Sequence, residues 1–139
     1  MSGGASRTPL PDRPPGTLAI GWATVELDRA AAELALLVGS DAGFADAVSS
    51  EILGARCRVG RAVGVGGGLV IVLVEPDTEG RLAAFLARFG EGWIARWEAG
   101  RSSSDRPLRP GPLGPEWLAD DADHRGPFRL LVETTTIAP

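Results

Sequence analysis

The stretch LVIVLVEPDTEGRLAAFLARFGEGWIA, residues 69–95, carries the pattern that decides the fold. Its first six residues, 69–74, are apolar at every position, which predicts a strand buried on both faces. Behind Thr78, which can cap a helix, the apolar residues recur at helical spacing. These residues are Leu82, Phe85, Leu86 and Phe89. Gly90 then suits a helix end, and residues 92–99 are typical of a further strand.

The residues before this stretch predict a strand, two helices and a second strand. Residues 17–27 alternate as a strand does, and residues 28–39 are rich in helix formers behind Asp28. Asp41 predicts the start of a second helix, since apolar residues follow at i, i+4 and i+8 on one face. These residues are Phe44, Val48 and Ile52. Residues 55–65 alternate again, and the glycines at 66–68 favour a hairpin turn over a phosphate loop.

The two ends of the chain are rich in residues that favour loops. Residues 1–16 predict a disordered tail, so residues 17–139 form a single domain. Residues 101–126 predict a long loop around an apolar knot of Leu113, Trp117 and Leu118. Residues 127–137 predict a last strand. This order of elements indicates an α+β fold.

Composition excludes several classes of protein. The chain has 139 residues, 14 basic and 18 acidic side chains, and a net charge of −4, which argues against binding to nucleic acid. One cysteine excludes an internal disulfide framework, and one histidine excludes a site built from several histidines. No apolar run reaches the roughly 20 residues of a membrane span, and the N-terminus lacks the apolar core of a signal peptide. We therefore expect a soluble, cytoplasmic protein without a membrane partner.

Four polar residues are candidates for chemistry. His124 follows three carboxylates in DDADHRGP, so an Asp can orient its imidazole as a general base, although the sequence context favours a solvated loop histidine. Cys57 lies on the apolar face of its strand, as a buried inert thiol does, and a Cys57–His124 dyad requires the fold to bring the two together. Arg56 and Arg58 share the other strand face, where they can clamp a carboxylate or phosphate or simply face solvent.

Three of the four tryptophans, Trp22, Trp93 and Trp97, lie on predicted strands. Period-two alternation places Trp93 and Trp97 on one face, opposite Arg96 and Glu98. Because the charged pair belongs in water, the tryptophan face is expected to point inward. Such indoles fit either core packing or a pocket for a flat apolar ligand.

The segment IGWATVELDRAAAELA, residues 20–35, resembles the first strand and helix of the vicinal oxygen chelate superfamily. That superfamily includes glyoxalase I, methylmalonyl-CoA epimerase, extradiol dioxygenases and bleomycin-resistance proteins. Residues 69–95 resemble the epimerase branch most, through Val74-Glu75-Pro76 and Gly90-Glu91-Gly92. The resemblance covers about residues 18–99. It implies βαβββ modules whose curved mixed sheet wraps a ligand cavity, here with a reduced second module.

The metal ligands that the resemblance implies are missing. In that superfamily, His, Glu or Gln side chains from strands of both modules hold a metal ion. This chain has Ala19 and Val72 where His and Glu are expected, and Trp93 and Ile94 where the second His is expected. Glu133 in the last strand is displaced from the ligand position and has no partner. A divalent ion needs several such ligands, so we expect neither a metal nor another cofactor.

Two classes of small-molecule function remain open. One is a metal-independent enzyme of the isomerase, cyclase or lyase type, acting on a mostly apolar metabolite, for example in secondary metabolism. The other is a protein that sequesters a drug or metabolite, as bleomycin-resistance proteins do. A buried carboxylate in the cavity favours the first class, and an aromatic box favours the second. The acid–base candidates are Glu26, Glu75, His124 and Glu133, and the ligand-binding candidates are Trp22, Trp93, Trp97, Arg56 and Arg58.

A reduced second module leaves the sheet either incomplete or completed by a second chain. Natural proteins usually cover or pair an exposed sheet edge. The apolar strand at residues 69–74 also needs a cover on its outer side. We therefore expect a two-fold homodimer.

Overall fold

The computed structural model describes residues 10–11, 15–39, 43–64, 68–77, 79–100, 107–119 and 128–133. None of the helices among these residues is long and apolar enough to cross a membrane. The strands are β1 (Thr17–Ala23), β2 (Ala45–Ser50), β3 (Ala55–Arg61), β4 (Val70–Pro76), β5 (Gly92–Gly100), β6 (Glu116–Leu118) and β7 (Phe128–Glu133). The helices are α1 (Leu27–Glu33), α2 (Ala35–Val38) and α3 (Arg81–Phe89).

The seven described strands form one curled mixed sheet in the order β2-β3-β4-β1-β5-β7-β6. In the first half, β1 is parallel to β4, while β3 pairs antiparallel with both β4 and β2. The second half repeats this pairing, since β5 is parallel to β7 and β7 is antiparallel to β6. Its outermost strand is reduced to a single bridge between Arg109 and Glu116 within the described residues. The predicted α+β fold with a reduced second module is thus confirmed.

The sheet has an inner and an outer face. Ser50 on β2 and Glu116 on β6 lie at opposite edges of the sheet, yet their side chains are hydrogen-bonded. The face that carries them is therefore the concave, inner one. It also carries an apolar cluster whose buried strand residues come from β1, β3, β4, β5 and β7 and include Ala19, Cys57, Val72, Trp97 and Leu130.

Helices α1 and α2 cover the outer face of the first half. Leu27 and Ala30 of α1, with Leu34 between the two helices, pack with Ile71 and Leu73 of β4 in a second apolar cluster. The prediction that this strand is buried on both faces is confirmed, because residues 71–74 expose no surface. Its outer side is covered by the same chain, so it does not require a second subunit. The expected homodimer stays a prediction that depends on the sheet edges.

The predicted helix behind Asp41 is wrong. Residues 45–50 form strand β2 instead, paired antiparallel with β3 so that Ala47 lies opposite Cys57. The helical spacing of three apolar residues gives way to this long-range pairing, as tertiary context often overrides local pattern. The apolar knot of the predicted loop also contains a strand, β6.

The outer face of the second half is polar where the first half has a helix. Glu98 on β5 accepts hydrogen bonds from Nε of Arg96 at 2.6 Å and from Nε of Arg129 on β7 at 2.9 Å. Burial alone would raise the pKa of Glu98, but the two arginines outweigh it and lower that pKa. Among the described residues no helix covers this face, and the ion network suits its contact with water.

Candidate functional site

A buried carboxyl group lies on the inner face of the sheet. Glu116 is the one acidic residue in the described part of the chain that is fully buried. Its Oε1 accepts a hydrogen bond from Trp97 Nε1 at 2.8 Å, and its Oε2 accepts one from Ser50 Oγ at 2.7 Å. Gly111 packs directly on the carboxyl group, where a Cβ atom would have no room. Three segments distant in sequence therefore converge on one carboxyl.

Burial raises the pKa of Glu116, and the hydrogen bonds from Trp97 and Ser50 offset only part of that rise. None of the ion pairs found among the described residues includes this carboxyl. A desolvated carboxyl with a raised pKa and no cationic partner among the described residues is the kind of group that exchanges protons with a ligand.

Both donors to Glu116 are fixed by their own surroundings. Ser50 Oγ accepts a hydrogen bond from the backbone N–H of Leu53 at 3.2 Å, which leaves its hydroxyl hydrogen for Glu116. The Trp97 indole lies across Gly21 of β1, where an added Cβ would be 2.8 Å from Cζ3. The small residue at position 21 is therefore what allows the indole to reach across the inner face.

Cys57 lies on the same face as Glu116 and is buried. Burial raises the pKa of Cys57 to about 12, and the charge of Glu116 adds to the rise. The thiol is therefore protonated at neutral pH and a poor nucleophile, which agrees with the predicted inert thiol. His124, its proposed partner in a dyad, lies outside the described residues.

The prediction that Trp93 and Trp97 share a face is wrong. The register between β1 and β5 shifts between Gly21 and Trp22, and this bulge reverses the alternation of β5. Trp93 consequently lies opposite Trp22 on the outer face, with the two rings edge to face at 5.0 Å. Trp97 remains on the inner face and is fully buried. The three indoles therefore do not line one common pocket.

The Nε1 atom of Trp22 is buried without a hydrogen-bond partner in the described part of the structure.

The predicted acid–base glutamates that the structure describes do not lie on the inner face. Glu75 accepts a hydrogen bond from the N–H of Leu27 at 2.8 Å and pairs with Arg56, so it caps helix α1. Glu26 is exposed beside that helix. Glu133 alternates with the inward-facing Val132 on β7 and so faces outward. In their place, Glu116 supplies the inner-face carboxyl.

Glu91, from the second motif of the family resemblance, anchors the turn between β1 and α1. Its Oε2 accepts hydrogen bonds from the N–H of Val25 at 2.9 Å and from Oγ1 of Thr24 at 3.0 Å, and it pairs with Arg29 at 2.6 Å. Burial would raise the pKa of Glu91, but these three partners outweigh it and lower that pKa. The glutamates of both motifs, Glu75 and Glu91, therefore stabilise the same turn.

Arg56 and Arg58 share the outer face of β3, and carboxylates of the chain itself occupy both guanidinium groups. Arg56 pairs with Glu75. Arg58 pairs with Asp28 at 2.6 Å and with Asp46 at 3.2 Å. A ligand carboxylate or phosphate would have to compete with these existing partners.

The residues present do not fit the metal of the resembled superfamily. Ala19 and Val72 are buried in the inner apolar cluster and carry no ligand atoms. Within the described ranges, no group of three or more His, Cys, Asp or Glu side chains is placed to hold an ion. The inner face therefore offers a carboxyl and an indole instead of a set of metal ligands.

Sequence reasoning missed Glu116 because its strand is three residues long. A period-two pattern needs more residues than that to be read, and the prolines around it favour a loop. The available signal was the sequence Glu116-Trp117-Leu118, in which Glu116 and Leu118 fall on one face if the segment is extended.

Comparison with known proteins yields similarity at the level of structure. No family model and no curated protein sequence matches the chain. Methylmalonyl-CoA epimerase from Mycobacterium tuberculosis matches with a TM-score of 0.68 and 19% identity over 93% of this chain and 94% of that one. A variant of the Streptomyces coelicolor methylmalonyl-CoA epimerase in complex with 2-nitronate-propionyl-CoA matches with a TM-score of 0.64 and 20% identity, over 86% and 96% of the two chains. A hypothetical protein from Bacillus halodurans matches with a TM-score of 0.62 and 20% identity, over 88% and 96%. At this identity the matches establish a shared fold.

Proposed function

We propose that this chain, which has the vicinal oxygen chelate fold of those epimerases, is a metal-independent enzyme that moves a proton on a small organic molecule. The observation that carries the proposal is the buried carboxyl of Glu116 on the inner face, held by Trp97 and Ser50. A ligand bound on that face would meet Glu116 as its acid or base.

The chemistry that suits this carboxyl is isomerisation of a carbon acid. Ionised Glu116 removes a proton from a carbon next to a carbonyl group, and the protonated acid returns that proton to another face or position. The proton count is unchanged over the cycle, and no oxidant or cofactor is consumed. The raised pKa of Glu116 makes its carboxylate a stronger base than that of an exposed glutamate.

The surroundings of Glu116 favour an uncharged, mostly apolar ligand portion. The inner cluster around it contains Val72, Val74, Leu130 and Val132, all buried. An ionised group of the ligand would lose its hydration there, and none of the described residues of this cluster carries a compensating charge.

The test is deuterium uptake from heavy water, followed by proton NMR on a panel of carbon acids. The panel contains two uncharged carbon acids, a β-ketoester and an α-hydroxyketone, each first screened for binding by tryptophan fluorescence. The wild-type protein should exchange the acidic C–H of at least one compound that binds. Glu116→Gln should slow that exchange by roughly 10²-fold or more, in line with the loss of a general base. The exposed Glu26→Gln should retain the wild-type rate.

Two results would contradict the proposal. Deuterium exchange by the Glu116→Gln variant at the wild-type rate would show that this carboxyl takes no part in the proton transfer. Compounds that bind without any exchange would favour the sequestering protein instead.

A further inference from the structure

A segment rich in proline and glycine covers the carboxyl of Glu116. Residues 107–115, PLRPGPLGP, contain four prolines and two glycines, and we call them the cover segment. Gly111 of this segment contacts the carboxyl group, and Leu113 packs against the inner apolar cluster. Residues 107–110 are exposed. The segment thus has one side in the core and one side in water.

Among the described residues, few bonds fasten the cover segment. At its end next to β6, the Pro115 carbonyl accepts a hydrogen bond of 3.3 Å from the N–H of Glu133. Arg109 and Glu116 exchange backbone hydrogen bonds of 2.9 and 2.8 Å, which form the isolated bridge at the edge of the sheet. Two further bonds join the cover segment to the turn between β2 and β3, and both involve Glu51. The N–H of Glu51 donates to the Pro110 carbonyl at 3.1 Å, and its carboxylate pairs with Arg109 at 3.0 Å.

Because of its composition, the cover segment has few hydrogen bonds to break when it moves away from Glu116. Four of its nine residues are prolines, which have no N–H to donate. The ion pair between Glu51 and Arg109 is exposed, with 54% and 53% of the side-chain surfaces accessible, and such pairs stabilise weakly. By contrast, each of the residues 71–74 in β4 is buried between two paired strands.

We infer that the cover segment swings away from Glu116 to admit a ligand to the inner face, and that Glu51 is the latch that holds it closed. The inference about ligand entry rests on the proposed function, because that function assigns Glu116 to the reaction. The opening of the cover segment is a property of the free protein and is measured without any ligand. A protein that opens but does not catalyse is therefore distinguishable from one that does not open.

The test is hydrogen exchange of the free full-length protein, followed residue by residue by NMR. Four hydrogens report on the cover segment: the amides of Glu51, Arg109 and Glu116 and the indole N–H of Trp97. After correction for intrinsic rates, they should exchange at least about tenfold faster than the amides of β4, which report on global unfolding. Glu51→Gln should accelerate these four by about two- to fivefold and leave β4 unchanged, as expected for the loss of one exposed ion pair.

The matched control is Glu33→Gln, which removes an exposed pair with Arg29 far from the cover segment. It should leave all four reporters unchanged. Exchange of the reporters at the rate of β4 would show that only global unfolding exposes Glu116, and would overturn the inference. Equal acceleration by Glu33→Gln would overturn the assignment of Glu51 as the latch.

A second variant acts on the cover segment itself. The methyl group of Gly111→Ala would collide with the carboxyl of Glu116, so it should hold the segment open and accelerate the Glu51 and Arg109 amides at least about tenfold. Gly92→Ala is the matched control, because a Cβ atom there meets nothing within 4 Å. Acceleration of the Trp97 indole alone would mean that Glu116 moves and the segment stays, which would contradict the inference.

Discussion

The indole Nε1 of Trp97 donates a hydrogen bond of 2.8 Å to Oε1 of Glu116, and both residues are fully buried. Donor and acceptor have each given up hydration, so the loss of either leaves the other unsatisfied at a cost of about 1–3 kcal/mol. The pair therefore couples the stability of the inner face to the protonation of one carboxyl. That coupling gives the first prediction.

We expect the Glu116→Gln variant to change how stability depends on pH. Because burial raises the pKa of Glu116 in the folded protein, the stability linked to its proton is present below the ordinary pKa of 4.5 and is lost as pH rises through the folded value. The free energy of unfolding of the wild type should therefore fall relative to the variant as pH rises above about 4.5. Urea unfolding between pH 4 and pH 8 measures this difference.

The comparison isolates one group because the other carboxylates are common to both proteins. The Glu116→Gln substitution is not expected to break the network, since a side-chain amide can accept from Trp97 and donate to Ser50. A difference in unfolding free energy that stays constant across the pH range would contradict the raised pKa.

Gly21→Ala should destabilise the fold by about 1–3 kcal/mol, the usual cost of inserting a methyl group into a packed core. The added Cβ atom would lie 2.8 Å from Cζ3 and 3.1 Å from Cη2 of Trp97. Gly92→Ala in the neighbouring strand meets no such atom and should change the unfolding free energy by less than about 0.5 kcal/mol. Equal effects of the two substitutions would mean that the indole does not pack on Gly21.

The parts of the fold that could be predicted are those with long, consistent patterns. The strand at residues 70–76 is apolar throughout its first five residues, and helix α3 buries the predicted Leu82 and Leu86. The family resemblance also identifies the positions at which metal ligands are expected, and this chain has Ala19 and Val72 there. Both positions prove to be buried in the apolar cluster.

The features of the fold and site that could not be predicted depend on long-range contacts, which a local sequence pattern does not show. The bulge in β5 separates Trp93 from Trp97, yet no glycine or proline between the two marks its position in the sequence GWIARWEAG. Residues 44, 48 and 52, in and around strand β2, have a helical spacing of apolar side chains, and pairing with β3 makes residues 45–50 extended. Glu116 reaches Ser50 because the sheet curls until its two edges meet, which is a property of the whole sheet.

Glu91→Ala should lower the free energy of unfolding by about 1–3 kcal/mol, because it removes charge-assisted hydrogen bonds to Val25, Thr24 and Arg29. Glu33→Ala removes an exposed partner of the same arginine and should cost no more than about 0.5 kcal/mol.

The lowered pKa of Glu91 predicts a pH dependence as well. The contribution of Glu91 to the free energy of unfolding is present above its ordinary pKa of 4.5 and is lost as pH falls through the folded value. Thermal or urea unfolding at pH 7 and pH 3 measures both effects. A cost at pH 3 as large as at pH 7 would argue against a carboxylate that acts through its charge.

Purified protein should contain no stoichiometric zinc, iron, nickel or manganese, because Ala19 and Val72 offer no ligand atoms at two of the expected positions. Elemental analysis measures the content directly. Incubation with a chelator should leave the melting temperature unchanged, since no structural ion would be removed. A tightly bound metal at a ratio of one per chain would contradict the prediction and direct attention to Glu133 and His124.

The homodimer is the last prediction, and it depends on the edge strand β2. This strand pairs with β3 on one side and ends the order of the described sheet on the other, and its Val48 is 58% exposed. An edge of this kind presents backbone N–H and C=O groups that a second copy can pair with. Light scattering at micromolar concentration should give about 29 kDa, twice the 14.5 kDa of one chain.

Val48→Lys places a charge on the edge and should shift the mass toward the monomer. Val25→Lys is the matched control, because Val25 is 62% exposed but lies in the turn before α1, so it should leave the dimer intact. A monomer mass for the wild type would contradict the predicted dimer.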